Sequence, residues 1–210
     1  MKTIAIASAK GGVGKSTVTS ALAVRASQES LMVALIDLNV DQGNLTQWWI
    51  TRRQPMNPRL VMDIENIPEE VKALDAAGYD WLLIDGPPAE MDLVEQSVVL
   101  ADFVLIPVKA SIFDVNSIDA VVSMCGAHDK PFAFVLSDVD SRFAALNSQI
   151  VRALRGEGSL LEAQVSHRMA YAQALTGGKS GPELKKELAL EIDALWLEVK
   201  ARIAEGGTHG

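Results

Sequence analysis

The chain has 210 residues, 49% of them hydrophobic, and a formal net charge of −8. That size and apolar content are enough for one domain with a sizeable core, and the acidic balance argues against a protein that coats a polyanion with its whole surface. No apolar run approaches the roughly 18–20 residues that span a bilayer. The lysine-bearing start flows straight into an apolar run rather than into a cleavable leader, and the single cysteine, Cys125, leaves no disulfide framework and no paired-cysteine metal site. A cytoplasmic protein is expected.

In chain order, apolar and β-branched runs predict strands at Thr3–Ser8, Met32–Asp37, Arg59–Asp63, Trp81–Asp85, Phe103–Val108 and Phe132–Leu136. Helical patterns fall near 15–28, 43–53, 67–78, 91–100, 115–126 and 142–155. Near-continuous apolar strands separated by helices predict an α/β fold, a mostly parallel twisted sheet with helices on both faces. From Pro182 to Ala204, Leu184, Leu188, Ile192, Leu195, Trp196, Val199 and Ile203 repeat at helical spacing, which predicts a helix docked on the sheet. Its five acids against four bases do not suit a membrane-surface helix. No linker or repeat marks a second domain, so residues 1–204 are expected to form one unit and 205–210 a disordered tail.

The first strand runs into Ser8-Ala9-Lys10-Gly11-Gly12-Val13-Gly14-Lys15-Ser16-Thr17, followed by a helix-compatible segment. Glycines let backbone N–H groups approach an anion, and a helix start adds partial positive charge. Residues Lys10 to Thr17 are therefore the candidate nucleotide-binding loop. Lys15 would reach the β- and γ-phosphates, and the Ser16 hydroxyl would coordinate Mg²⁺. Trp81-Leu82-Leu83-Ile84-Asp85 is an apolar strand ending in a carboxylate, which makes Asp85 the second candidate for the Mg²⁺ shell, through a water.

Ala9 stands where the common phosphate-loop pattern has glycine, and Lys10 is an extra lysine. Lys-Gly-Gly-Val-Gly-Lys-Ser resembles the deviant Walker A motif of the ParA/MinD family of dimeric ATPases. Asp85-Gly86-Pro87-Pro88, the strand from Ala101 to Val108, and Ser111-Ile112-Phe113-Asp114 resemble further family segments. The resemblance spans about residues 2–202 and is nearest to small plasmid-partition ParA proteins without an N-terminal DNA-binding domain. It implies a single-domain P-loop NTPase that binds ATP with Mg²⁺. In such a protein, Lys10 reaches the nucleotide of a second subunit, so that ATP binding and homodimer formation are one event.

Asp37 also ends an apolar strand, and the family continues there as D-x-D-P-Q-G-N, its second aspartate positioning the attacking water. This chain reads Asp37-Leu38-Asn39-Val40-Asp41-Gln42-Gly43-Asn44. Counted from Asp37, the second position is Asn39; counted back from Gln42-Gly43-Asn44, it is Asp41. Asn can hold a water but takes neither charge nor a proton. The reading favours Asp41 for the water, with Lys10, Lys15, Asp37 and Asp41 as the catalytic set.

Between Ser141 and Lys186, seven bases face three acids, a basic stretch in an acidic chain. Within it, Ser166-His167-Arg168-Met169-Ala170-Tyr171 resembles a family element whose arginine contacts nonspecific DNA, which marks Arg168. The resemblance implies partition of a plasmid or chromosome by a nucleoid-associated ATPase, its turnover stimulated by a ParB-like centromere-binding protein, with no role for a membrane. Three alternatives are positioning of a protein cargo, a small-molecule enzyme on this fold such as a ligase or kinase, and a nucleotide-bound scaffold that hardly hydrolyses. Trp48-Trp49, beside the second acidic loop, is open between a partner surface and core.

Overall fold

The computed structural model describes residues 1–62, 65–111 and 118–206. Its strands are β1 (Lys2–Ile6), β2 (Val33–Asp37), β3 (Arg59–Leu60), β4 (Trp81–Asp85), β5 (Phe103–Lys109), β6 (Phe132–Val139) and β7 (Leu160–Ser166). They form one sheet in the order β3-β2-β4-β1-β5-β6-β7, and every pairing is parallel. The expected α/β architecture is therefore the observed one. The buried β2 sequence Val-Ala-Leu-Ile-Asp shows why: with both faces covered, alternation disappears and apolar residues follow one another up to the terminal Asp37.

The helices are α1 (Lys15–Gln28), α2 (Asn44–Thr51), α3 (Ile67–Ala76), α4 (Met91–Leu100), α5 (Asp119–Ala127), α6 (Ala144–Glu157), α7 (Met169–Thr176), α8 (Gly181–Leu184) and α9 (Lys186–Gly206). One core joins α1, α7 and α9 to the sheet. The other face carries α4, α5 and α6 around Val104, Ile106 and Phe134, with α3 against Ala34, Ile36 and Leu82. Because α1 and α4 leave neighbouring strands for opposite faces, a crevice opens at the carboxyl ends of β1 and β4, where sheets of this kind bind ligands.

Strand β7 and helix α7 lay outside the expectations from sequence, and the helix expected from Pro182 to Ala204 is interrupted at Lys185, whose extended backbone separates α8 from α9. In Leu-Leu-Glu-Ala-Gln-Val-Ser the buried positions are interrupted by exposed Glu162 and Gln164, as suits an edge strand with one wet face. Helix α9 covers that edge. Glu198 accepts the backbone N–H groups of Glu162 (2.8 Å) and Ala163 (3.0 Å), and Glu191 accepts Ser166 N–H and Oγ–H. Leu188, Ile192, Leu195, Trp196, Val199 and Ile203 are buried, as the spacing predicted, whereas Leu184 belongs to α8 and is exposed. Strand β3 is two residues long, and Asp63 of its predicted run lies outside the described residues. So do Ile112, Phe113 and Asp114, the first part of the 115–126 helix, and residues 207–210 of the expected tail. Residues 205 and 206 belong to α9. Trp48 is core, its Nε1–H donating to Lys179 O at 2.9 Å, while Trp49 is half-buried.

Candidate nucleotide-binding site

Strand register places the chemistry. Ile6 of β1 and Asp37 of β2 both pair with Asp85 of β4, so the loop after β1 and two carboxylates share one edge of the sheet. From Ile6 the chain turns through the glycine loop into α1. Gly12 and Gly14 hold φ of 73° and 91°, the left-handed region that side-chain-bearing residues rarely enter. Gly14 is also the N-cap of α1 and supplies no side-chain cap, and the first turn carries no acid. The start of a 14-residue helix thus keeps its N–H groups and partial positive charge for an anion. Ser137 near the end of β6 braces the loop, its hydroxyl donating to Val13 O at 2.7 Å.

Lys15 is buried, its Nζ donating to Lys10 O at 3.0 Å and Ser8 O at 3.4 Å. Burial lowers its pKa and the charge on Asp85 acts against that. Asp85 is 1% exposed and accepts Thr19 Oγ–H at 3.3 Å. Its carboxyl is pushed up to about 7, first by burial and then by the neighbouring Asp37, while hydrogen bonds from Ser16 and Thr19 and the charge of Lys15 oppose the shift. Ser16 and Asp85, expected at the metal from sequence, are therefore in contact. A hydroxyl and a carboxylate are oxygen donors of the kind a hard divalent cation takes, and a cation there would favour the ionised form that burial and Asp37 disfavour. Thr19 went unnoticed in the sequence; its place four residues after Lys15 on α1 was the available signal.

Asp37 is also buried and shifted upward by burial, but its bonds point along its own loop. It accepts Thr46 N–H and Oγ–H, both at 2.9 Å, and Asn39 N–H at 3.1 Å. These bonds fix the turn from Asn39 into α2. Asn39 is 6% exposed and lines a cavity of about 190 Å³ together with Gly11, Gly14, Lys15, Ser16 and Gln42. Asp41 is exposed on the adjoining turn and is not part of that wall. Lys10 is half-buried at the loop, its N–H facing Ser8 Oγ at 3.3 Å. Arg168 stands apart from that cavity at the N-cap of α7, with Nε 3.4 Å from Ser166 Oγ, and lines a second slot that shares Gly12, Gly14 and Thr17 with the first.

A strand–glycine loop–helix at the sheet's crevice, with a buried lysine facing the loop and a hydroxyl–carboxylate pair beside it, defines a phosphate-binding P-loop protein. The family model for the CobQ/CobB/MinD/ParA nucleotide binding domain matches residues 4–180, and the chain belongs to that family. Among curated proteins it is 26% identical over 186 residues to Maintenance of carboxysome distribution protein A of Halothiobacillus neapolitanus, covering 85% of each chain. The chromosome-partitioning ATPase Soj of Thermus thermophilus is 27% identical over 152 residues, 59% of this chain and 61% of that one. The MinD cell division protein of Aquifex aeolicus superposes with a TM-score of 0.80 at 19% identity, covering 96% of this chain and 98% of that one.

Proposed function

We propose that the protein is an ATP-driven molecular switch that dimerises around the nucleotide, binds DNA nonspecifically in that state, and distributes a plasmid or chromosome with a ParB-like centromere-binding partner. The observation that carries this reading is the phosphate cavity with buried Lys15 inside it and a second lysine, Lys10, on the same loop. In a sandwich of two subunits, Lys10 would reach the γ-phosphate held by the other. The reaction is in-line transfer of that phosphoryl group to water, with Lys10 and Lys15 offsetting the charge that develops on its oxygens. Ser16 and Asp85 would hold Mg²⁺, which supplies further charge neutralisation. Asp37 acts as a positioning residue that holds the turn carrying Asn39.

For the attacking water, the position of Asn39 in the cavity wall favours it over Asp41. An amide orients a water without accepting its proton, which suits slow, partner-stimulated turnover. Asp41→Ala is expected to leave ATP turnover within about twofold, and Asn39→Asp to raise it roughly tenfold or more by supplying a proton acceptor. Loss of turnover in Asp41→Ala, measured by phosphate release, would return the role to Asp41.

The DNA reading is tested by co-sedimentation with nonspecific duplex across a salt series in Mg²⁺–ATP. Arg168→Ala is expected to weaken binding at every sequence and to flatten the salt slope by about one for each phosphate that the arginine neutralises. Wild-type affinity and slope in the variant would remove Arg168 from the interface. A second reading, positioning of a protein cargo on the nucleoid, is supported by the carboxysome-distribution relative. It keeps the same switch but replaces the centromere-bound stimulator with a cargo-coating one. The partner that accelerates phosphate release separates the two.

A further inference from the structure

One apolar stripe of α9 holds it to the sheet, and a second faces outward. Between Leu188 and Ala201 every exposed position of the helix is apolar: Leu190, Ala194, Leu197 and Ala201, with Ala204 continuing the row. Leu190 and Leu197 are 60% and 61% exposed. The steps along the row alternate between four and three residues, the heptad spacing by which one helix offers a seam to another. A helix face that met only water would carry charged and polar residues along its crest.

The charges of α9 lie instead on its flanks and are turned back onto the protein. Glu191 accepts Ser166 N–H and Oγ–H and the Tyr171 hydroxyl, and Glu198 accepts the N–H groups of Glu162 and Ala163. On the other flank Asp193 pairs with Arg25, and Lys200 Nζ lies 2.9 Å from Glu29. Because Glu191 meets the carboxyl end of β7 and Glu198 its first half, the seam runs down the sheet edge, away from the crevice of the glycine loop.

We infer that this face binds a second copy of the chain, α9 against α9 in antiparallel register. The seam is complementary to itself. With Ala194 set beside Leu197 of the second copy, Leu190 falls beside Ala201 of the second copy, so that each leucine meets an alanine across a two-fold axis. Parallel pairing would set leucine on leucine and alanine on alanine. The antiparallel register also brings Asp193 of each copy beside Lys200 of the other, while Glu191 and Glu198 stay drawn inward by their bonds to β7. The contact depends neither on the nucleotide reading nor on a dimer closed across the glycine loop. Two leucines and three alanines per copy fall well short of a standard interface, so the expected dissociation constant is about 100 µM and the pair is a minor species below roughly 10 µM.

The test is sedimentation equilibrium without nucleotide, from roughly 5 to 500 µM protein. The wild type is expected to pass from monomer to dimer across that range. Leu197→Glu, at an exposed position, is expected to keep the wild-type Tm within about 2 °C and to stay monomeric throughout. Oxidative cross-linking reads the register: a mixture of Leu190→Cys and Ala201→Cys proteins should form a disulfide-linked dimer in far higher yield than either variant alone, with buried Cys125 silent. A wild type that stays monomeric at the highest concentration, association retained in Leu197→Glu, or equal cross-linking of Leu190→Cys with itself would overturn the assignment. A monomeric wild type that co-sediments with phosphatidylglycerol vesicles, and loses this in Leu197→Glu, would assign the seam to a lipid surface instead.

Discussion

Lys15→Ala is expected to weaken nucleotide binding roughly tenfold to hundredfold, because it removes a charge-assisted bond made away from water. Lys15 is 7% exposed and its Nζ is held by two loop carbonyls, so its position depends on neither solvent nor a mobile surface. A lysine kept this deep is costly, as the downward push of burial on its pKa shows, and is retained where a charged ligand offsets the cost. Binding measured by calorimetry should fall for ADP and ATP, since a lysine that reaches the β-phosphate serves both. Removal also takes away a charge that lowers the pKa of Asp85, so the metal site weakens with it. Unchanged affinity for both nucleotides would mean that the cavity is not the phosphate site.

Asp85→Asn is expected to separate stability from function. The folded carboxyl titrates near 7, above the ~3.9 of an unfolded aspartate. Between those values the folded chain keeps a proton that the unfolded chain has shed, so stability falls as pH rises through that window. Asp37 shifts in the same direction and adds to the slope. Asparagine removes the charge while its carbonyl can still accept Thr19 Oγ–H. In the absence of metal, thermal unfolding of the variant should vary less between about pH 4 and pH 7, and at pH 8 its Tm should exceed that of the wild type by roughly 5 °C. Mg²⁺-dependent nucleotide binding should be lost in the same protein. A variant that is less stable than the wild type at pH 8 would contradict the role of Asp85 as a carboxylate held under electrostatic strain for a cation.

How much of this was legible in the sequence varies with how local the cause is. The glycine loop, Lys15, Ser16 and Asp85 could be read directly, because a phosphate cradle is a contiguous run and an apolar strand ending in an acid is a short pattern. The central strands could be read because burial on both faces leaves near-continuous apolar runs. The second acidic loop was ambiguous. Counting along Asp37 to Asn44 cannot say which side chain faces the cavity, since a turn with φ of 53° at Gly43 and the bonds from Thr46 and Asn39 to Asp37 decide it. Strand β7 was missed because its exposed Glu162 and Gln164 mimic an amphipathic surface segment, and its partner carboxylates come from α9, more than 30 residues away. Lys109 at the end of β5, Asp138 near the end of β6 and His167 just past β7 could not be grouped from sequence for the same reason, because only the sheet order brings them together.

The measurement that bears most directly on the switch is sedimentation velocity of the purified protein in Mg²⁺–ADP and in Mg²⁺–ATP, with Lys10→Ala run beside it. The predicted result is a monomer with ADP, a dimer with ATP, and a Lys10→Ala protein that binds ATP yet stays monomeric. One sedimentation coefficient in both nucleotides, or an ATP dimer that survives Lys10→Ala, would contradict the claim that the γ-phosphate closes two subunits across this loop.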